Sequence, residues 1–543
     1  MPRALAAILA LSLALGSVGA GWGLPNDRSW SNDDPTPRVP LRIGQIWCCG
    51  HDRYPYLQPL ITRAVYAPSL AWWRLRGEIA ASCADLGDAD CYARPYEQLG
   101  WLMRLSRALA AVMGAGVVAA VYAMAVRLYA DRRAALCAAL AAAVIHELVL
   151  FSHWGNVDVP YLFWFAWSIV AFLDVVQRGR TRDFAAFGLL AAAALATKES
   201  IVGAYVGVGL AILVVHARRA LAARPPGQPA AQDLWRAALD QRLLILLACL
   251  LGLYGLANNV VFNPSGFAEH VGYWIGGAGI APWNDRFSGH AALLATFGKQ
   301  LGDAVGRPWL AAAGVAAALA AWRDRRTGWV LLPAASYYLF TIAPIRYAFT
   351  RFTLPVAILL AVPLGWLAAR AMSTTLGRVA LAMVFAHALL YSMHADVMLV
   401  IDSRYAAERW LASAVPRQAR VVAIGSPSYL PRLAYLGYAP QRLDDDDASL
   451  PAILAEDADV VVMARRSRAA AADGASMLVD QLVGSGYTIA YEATIRAPLA
   501  PFIGTDFIET RVIPRAMILA REGVVALTPP PSPSAGAATP PPR

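Results

Sequence analysis

ALAAVMGAGVVAAVYAMAVRLYADRR, residues 108–133, is the stretch that decides the fold. Residues 108–126 carry no charge and, as a helix rising about 1.5 Å per residue, reach almost across a hydrocarbon core of about 30 Å. The run stops at Arg127, Arg132 and Arg133, as a transmembrane helix does where it enters a short cytoplasmic loop. Working outward, comparable apolar runs lie near 4–20, 134–151, 157–173, 184–197, 201–215, 243–261, 309–322, 328–345, 353–369 and 379–401. Together they predict about eleven spans and a polytopic α-helical membrane protein. The run 4–20 comes after Met-Pro-Arg and ends in small residues, so it suits either a cleavable signal peptide or a first transmembrane helix. In both readings the segment beyond residue 20 is exported.

Composition agrees. The chain of 543 residues is 58% hydrophobic and 15% charged, with a mean hydropathy of +0.46, far from the balance of a soluble globular protein. A net charge of +10 would suggest nucleic acid as a partner in a soluble chain. Here the cations orient helices instead, and no nucleic acid partner is expected. Arg127, Arg132 and Arg133, then Arg178, Arg180 and Arg182, then Arg218 and Arg219, then Arg323, Arg325 and Arg326, then Arg370 and Arg378 all fall in alternate loops. With positive charge inside, this predicts a multi-pass protein of the cytoplasmic (inner) membrane with its amino terminus inside. Richness in Ala and Arg, with few Lys, suggests a GC-rich bacterial genome.

The outer side then receives a long first loop, about 21–107, a second, about 262–308, and everything after about 401. Residues 1–401 read as a transmembrane domain, 402–527 as a small exported α/β domain, and 528–543, rich in Pro, Ser and Ala, as a disordered tail. Within the α/β domain a helix is expected near 405–414 and strands near 420–424, 459–463 and 487–492. Asp444–Asp447 reads as a solvated loop, because contiguous carboxylates repel and lack the alternating spacing of calcium loops. Cys48, Cys49, Cys83 and Cys91 share the first exported loop, where one or two disulfides are expected, free thiols being the alternative. Cys137 and Cys249 lie inside apolar runs.

Ionisable residues at the outer ends of spans need a reason, since the orientation rule supplies none there. The acidic pair Asp33 and Asp34, in GWGLPNDRSWSNDDP (21–35), has two readings. It is either an Asx-type turn before Pro35 or a carboxylate able to take a proton from an acceptor hydroxyl. Lys198 ends a short apolar run in Ala-Thr-Lys-Glu-Ser, where it would pair with Glu199, snorkel to water or meet a lipid phosphate. Arg346 and Arg351 stand in IRYAFTRFTLP (345–355), and guanidinium forks suit phosphate oxygens. In SHWGNVDVP (152–160), His153 and Asp158 orient a substrate or cap two helices, with His146 and Glu147 deeper in the bundle.

These motifs, taken in order, resemble the membrane glycosyltransferases of the protein O-mannosyltransferase and aminoarabinose transferase superfamily, the GT-C type, over about residues 1–420. Gly23-Leu24-Pro25, then Asp33-Asp34, then Tyr54-Pro55-Tyr56-Leu57 look like the family's Gly-Leu-Pro, acidic pair and Tyr-Pro stretch. Ser152-His153 with Asp158, Thr197-Lys198 and Arg351-Phe352-Thr353-Leu354-Pro355 look like its later motifs. The sequence departs from the pattern in having Asp where Glu is usual in the pair, Cys48-Cys49 in the loop, and Phe352 for Tyr. The resemblance implies transfer of a sugar from a polyprenyl-phosphate donor to a protein, lipid or glycan acceptor on the non-cytoplasmic face, with inversion. It implies Asp33 or Asp34 as the base, Lys198, Arg346 and Arg351 on the donor phosphate, and Tyr54, His153 and Asp158 orienting substrate. No cofactor is obligatory and no metal site is indicated; a divalent cation is possible but nothing in the sequence points to one. The rival classes are a transporter or flippase, which should show internal repeats, and a scaffold, which would need none of these charges. A phosphatase would want a nucleophile beside a base.

Overall fold

The computed structural model describes residues 3–49, 54–222, 239–275, 289–465, 472–493, 495, 497–503 and 515–525. The expected tail, 528–543, and the middle of the loop 262–308 lie outside the described residues, as do the side chains of Cys48 and Cys49. Two compact units emerge: Met1–Gly21 with Asp33–Asp396, and Trp22–Asn32 with Val397–Arg543. The division falls a few residues before the expected boundary at 401, inside the helix Thr375–Val400. It also assigns an eleven-residue stretch, Trp22–Asn32, to the carboxyl-terminal unit.

In the larger unit the apolar runs become helices: α1 (Arg3–Leu15), α2 (Arg38–Cys49), α3 (Leu57–Leu75), α4 (Pro95–Tyr129), α5 (Arg132–Ala143), α6 (His146–Ser152), α7 (Asp158–Gln177), α8 (Thr181–Leu195) and α9 (Val202–Ala222). The helices Gln241–Ala257, Pro264–Ile275, His290–Val305, Arg307–Arg323, Gly328–Tyr337, Leu354–Ala371 and Thr375–Val400 come next. Six stretches are long and apolar enough to cross a membrane, and two bent pairs raise the number to eight among the described residues. Three expected spans are helices of only 13, 15 and 17 residues, α1, α8 and Gln241–Ala257. At about 1.5 Å per residue none of the three reaches 30 Å. The expected span 134–151 is broken: α5 and α6 meet at 60°.

The first long loop is not irregular. α4 starts at Pro95, well before the apolar run at 108, with proline in its first turn, where the missing N–H costs nothing. Its early residues Leu99 and Leu102 pack with Tyr66, Leu70 and Trp73 of α3, Leu41 of α2, and Ile79, Leu86 and Tyr92 between them. A Cys83–Cys91 disulfide closes this small core. The Arg42 guanidinium, 2.6 Å from Asp85, holds that carboxyl below the usual carboxylate range. Burial pushes the Tyr92 hydroxyl, which donates to the Leu86 carbonyl, up to about 12.

The carboxyl-terminal unit carries a five-stranded sheet of order β2-β1-β3-β5-β4, with β1 (Val421–Ile424), β2 (Gln441–Leu443), β3 (Val460–Arg465), β4 (Tyr487–Ala493) and β5 (Arg515–Arg521). β1, β2 and β3 run parallel, and β5 pairs antiparallel with both β3 and β4. Both faces are covered, so the central strands read as continuous apolar runs rather than alternating ones. Ala407, Trp410 and Leu411 of the helix Ser403–Ala414 pack on one face. Ile453, Leu478, Val479 and Leu482 pack on the other. Asp457 accepts from Arg420 and Arg521, and the two guanidiniums hold its carboxyl below its ordinary range. Asp444–Asp447 are exposed.

Candidate active site

Asp33 and Asp34 share one turn ahead of α2, yet their surroundings are opposite. Asp34 points inward. One of its oxygens accepts from Arg107 of α4, Nε at 3.1 Å and Nη2 at 2.7 Å, and the other accepts the Gly155 N–H at 2.7 Å. Both charged side chains of this pair are 1% exposed. Arg107 also donates to the Ala20 carbonyl at 2.8 Å, so one guanidinium ties the turn that follows α1 to the acidic turn. Position 155 must be glycine for this approach, because a Cβ there would collide with the Ser106 hydroxyl.

Asp33 points the other way, its side chain 39% exposed, and accepts from Arg351 Nη1 at 2.6 Å. Arg351 sits on the short 3-10 turn Thr350–Thr353 that opens the helix Leu354–Ala371. Its guanidinium lies 5.8 Å from the Phe352 ring, and its Nε is buried without a hydrogen-bond partner among the described residues. The Lys198 ammonium is 5.4 Å from the same Phe352 ring and 5.2 Å from that of Tyr161. Phe352 is therefore a platform shared by both cations, within the range where a ring face attracts positive charge.

Lys198 is buried and donates to Asp158. Glu199, the adjacent candidate partner, instead accepts from His270 at 2.6 Å and from Tyr254 at 3.3 Å. Asp158 is the first residue of α7, where the N-terminal dipole favours a carboxylate. Asn156 fixes it by donating to its other oxygen at 3.1 Å and accepting its N–H at 3.0 Å. Asp33, Arg351, Lys198 and Asp158 thus form a charge-balanced cluster assembled from separate parts of the chain. Tyr54 lies within electrostatic range of Arg351.

Two predicted residues stand apart. His153 is buried with Nδ1 2.8 Å from the Val149 carbonyl and Nε2 2.6 Å from that of Val18, while Asp396 approaches Nε2 at 3.3 Å. Its ring nitrogens serve the packing of α6 and leave none for a substrate. Arg346 is exposed in left-handed backbone, φ 59°; its N–H donates to the Ile342 carbonyl at 3.0 Å, and its guanidinium makes no hydrogen bond or ion pair among the described residues. Conversely, Arg107, Asn156 and Asp396 join the site's surroundings without being marked by the motifs. Arg107 was open to the rule that found Lys198, since it too is a cation at the outer end of an apolar run. Asp396, a carboxylate near the outer end of the expected span 379–401, was open to the same rule, whereas nothing in the sequence marks Asn156 as a partner.

Comparison with known proteins adds a family match to this geometry. Residues 99–227 match the family model described as dolichyl-phosphate-mannose-protein mannosyltransferase. The segment spans Arg107, Asp158 and Lys198, and the match agrees with the resemblance carried by the motifs. Similar solved structures include ArnT from Cupriavidus metallidurans bound to undecaprenyl phosphate, at 12% identity and TM-score 0.48, covering 94% of this chain and 97% of that one. They also include the oligosaccharyltransferase AglB from Archaeoglobus fulgidus, in complex with an inhibitory peptide and a dolichol-phosphate, at 12% identity and TM-score 0.42, covering 85% and 69%. The Saccharomyces cerevisiae Pmt1–Pmt2 complex bound to the sugar donor is similar at 16% identity and TM-score 0.30, covering 53% and 35%. At such scores these likenesses carry no functional assignment. No curated protein matches the chain in sequence.

Proposed function

We propose that the chain is a membrane glycosyltransferase that moves a sugar from a polyprenyl-phosphate donor to a hydroxyl of a protein, lipid or glycan acceptor. The observation that carries this reading is the cluster itself: one accessible carboxylate beside two cations that share an aromatic platform. In this mechanism Asp33 is the general base that takes the acceptor proton. Asp34, buried against Arg107, holds the turn that presents it. The donor phosphate is already a good leaving group and needs its charge met rather than a proton. Arg351 and Lys198 supply that, in a site where water is scarce and charges act strongly.

The resting cluster suggests how the two halves communicate. A phosphate entering beside Arg351 competes with Asp33 for the same guanidinium, and its arrival releases the carboxylate for the acceptor. Attack from the side opposite the phosphate gives inversion at the anomeric carbon. Arg346, exposed nearby in sequence, is available to a lipid head group. Asp158 and Asn156 orient Lys198, and Tyr54 flanks Arg351. No cofactor is obligatory in this mechanism, and a divalent cation is compatible with it.

By the orientation rule the cluster faces the outer side of a bacterial cytoplasmic membrane, where nucleotide sugars are absent and a lipid carrier is the available activated sugar. The test is a panel of polyprenyl-phosphate sugars offered to purified protein in lipid nanodiscs. Release of free polyprenyl phosphate from at least one donor is expected. Failure with every donor and acceptor class would remove the reading.

A further inference from the structure

A tyrosine buried in a protein usually finds a hydrogen-bond partner for its hydroxyl. Tyr92, Tyr391, Tyr438 and Tyr487 do so here, donating to main-chain carbonyls at 2.6–2.8 Å. Tyr161 and Tyr337 do not. Each is 1% exposed, and neither hydroxyl makes a hydrogen bond among the described residues. Neither hydroxyl is sealed from solvent, so the small accessible surface left to each residue includes it. Both residues border the cluster of Asp33, Arg351, Lys198 and Asp158. Tyr161 stands one helical turn after Asp158 on the same face of α7, with its ring 5.2 Å from the Lys198 ammonium. Tyr337 ends the helix Gly328–Tyr337, and the next five residues, Tyr338–Ile342, form a wide π turn, a feature frequent at functional sites. The two tyrosines lie within electrostatic range of each other and of Asp158, and Tyr161 also of Arg351.

A buried hydroxyl without a protein partner is costly unless another group meets it. Three groups approach this cluster in the proposed reaction: the donor phosphate, the acceptor and the donor sugar. The phosphate has Arg351 and Lys198 to meet its charge, and beside Asp158 its oxygens would face a carboxylate. The acceptor has to reach Asp33, whose side chain is 39% exposed, whereas the tyrosines are buried on the Asp158 side. The sugar fits, because one of its hydroxyls can donate to Asp158 while accepting from a tyrosine. Asp158 has the capacity: Lys198 and Asn156 each take one lone pair on a different carboxylate oxygen and leave the second. We infer that Tyr161 and Tyr337 are specificity-determining residues that hydrogen-bond a ring hydroxyl of the donor sugar, with Asp158 accepting the bond that this hydroxyl donates. The inference rests on the reading of the cluster as the donor site. A site built this way rejects a sugar lacking the hydroxyl, since the two phenols and the carboxylate are then left unpaired.

Tyr161→Phe and Tyr337→Phe test this, since each removes one oxygen and keeps the ring in place. The probes, offered to the full-length protein in nanodiscs, are bare polyprenyl phosphate, a panel of polyprenyl-phosphate hexoses and pentoses, and the monodeoxy analogues of the sugar that binds best. Binding is read first. The wild type is expected to hold its preferred donor at least about tenfold more tightly than the bare carrier, the order of one buried hydrogen bond. Each variant should lose most of that margin, with affinity for the bare carrier changed less than about twofold. Turnover is compared next. With the preferred donor kcat/KM is expected to fall about tenfold in each variant, and one monodeoxy analogue should lower the wild type as much. With that analogue the tyrosine change should cost little more, whereas a packing role would lower the rate with every donor by the same factor. Equal loss of affinity for bare polyprenyl phosphate would assign the hydroxyls to the phosphate or the carrier and overturn the inference. Variants matching the wild type in every reading would overturn it too, since water alone then satisfies both phenols. Should the wild type bind donors yet transfer no sugar, the functional reading fails on that result, and the sugar-dependent margin in affinity still decides this one. A wild type without such a margin for any sugar would overturn it.

Discussion

Replacing Asp33 and Asp34 one at a time by asparagine should separate two carboxylates that are neighbours in sequence. Asp34 and Arg107 are 1% exposed and joined by two hydrogen bonds, with a third from Gly155. Neutralising one partner of such a pair strands the other charge in the interior, which costs about 3–5 kcal/mol. Asp34→Asn is therefore expected to lower the unfolding temperature and the folded yield strongly. The Asp33 side chain is 39% exposed and its partner Arg351 20%, so its loss should cost less than that of Asp34. Removing a general base should nevertheless slow turnover by about 10²- to 10⁴-fold. The assay is thermal unfolding in nanodiscs alongside release of polyprenyl phosphate. An Asp33→Asn variant that melts early but turns over normally, or an Asp34→Asn variant that is stable but inactive, would refute the division of labour.

The same geometry sets further outcomes. Lys198→Ala should weaken donor binding at least about tenfold, a charge-assisted contact being worth about 1.5–3 kcal/mol. Lys198→Ala also strands the buried Asp158 carboxylate and should lower the unfolding temperature, and Lys198→Met with Asp158→Asn should recover that stability without recovering turnover. Phe352→Ala, which removes the ring facing both Lys198 and Arg351, should cost about tenfold in kcat/KM, whereas Phe352→Tyr should be nearly neutral. Asp457 is held below its ordinary value by Arg521 and Arg420. A depressed carboxylate stabilises the fold fully above its unfolded value near pH 4, and that contribution is lost as pH falls through the lower folded value. Melting curves of the Asp457→Asn variant should therefore be less acid-sensitive than those of the wild type below about pH 4.

The long apolar runs were legible because a helix of about 20 residues is the cheapest way to satisfy backbone polar groups in lipid. The break between α5 and α6 was not, since the Ala-rich run 134–144 continues straight into Ile145 with no Pro or Gly to mark the bend. β2 was missed because its three residues are exposed or half-buried at a sheet edge. β5 was missed although its Ala-Met-Ile-Leu-Ala centre is apolar. At the site, residue types were readable but partners were not. Lys198 joins Asp158, forty positions away, instead of the adjacent Glu199. The choice between Asp33 and Asp34 depends on which side of a two-residue turn is buried, and composition is silent on that. The stretch Trp22–Asn32 is the extreme case: Trp22 bonds Asp402 across 380 positions, so a segment that reads as the start of a loop packs in the carboxyl-terminal unit.

The central claim is tested most directly by a single-turnover measurement with a radiolabelled polyprenyl-phosphate sugar, tracking free polyprenyl phosphate in the presence of acceptor. The wild type is expected to release it. Asp33→Asn, which frees Arg351 for the phosphate, is expected to bind the donor at least as tightly as the wild type and to release essentially none on the same timescale. Release by Asp33→Asn at the wild-type rate would contradict the account.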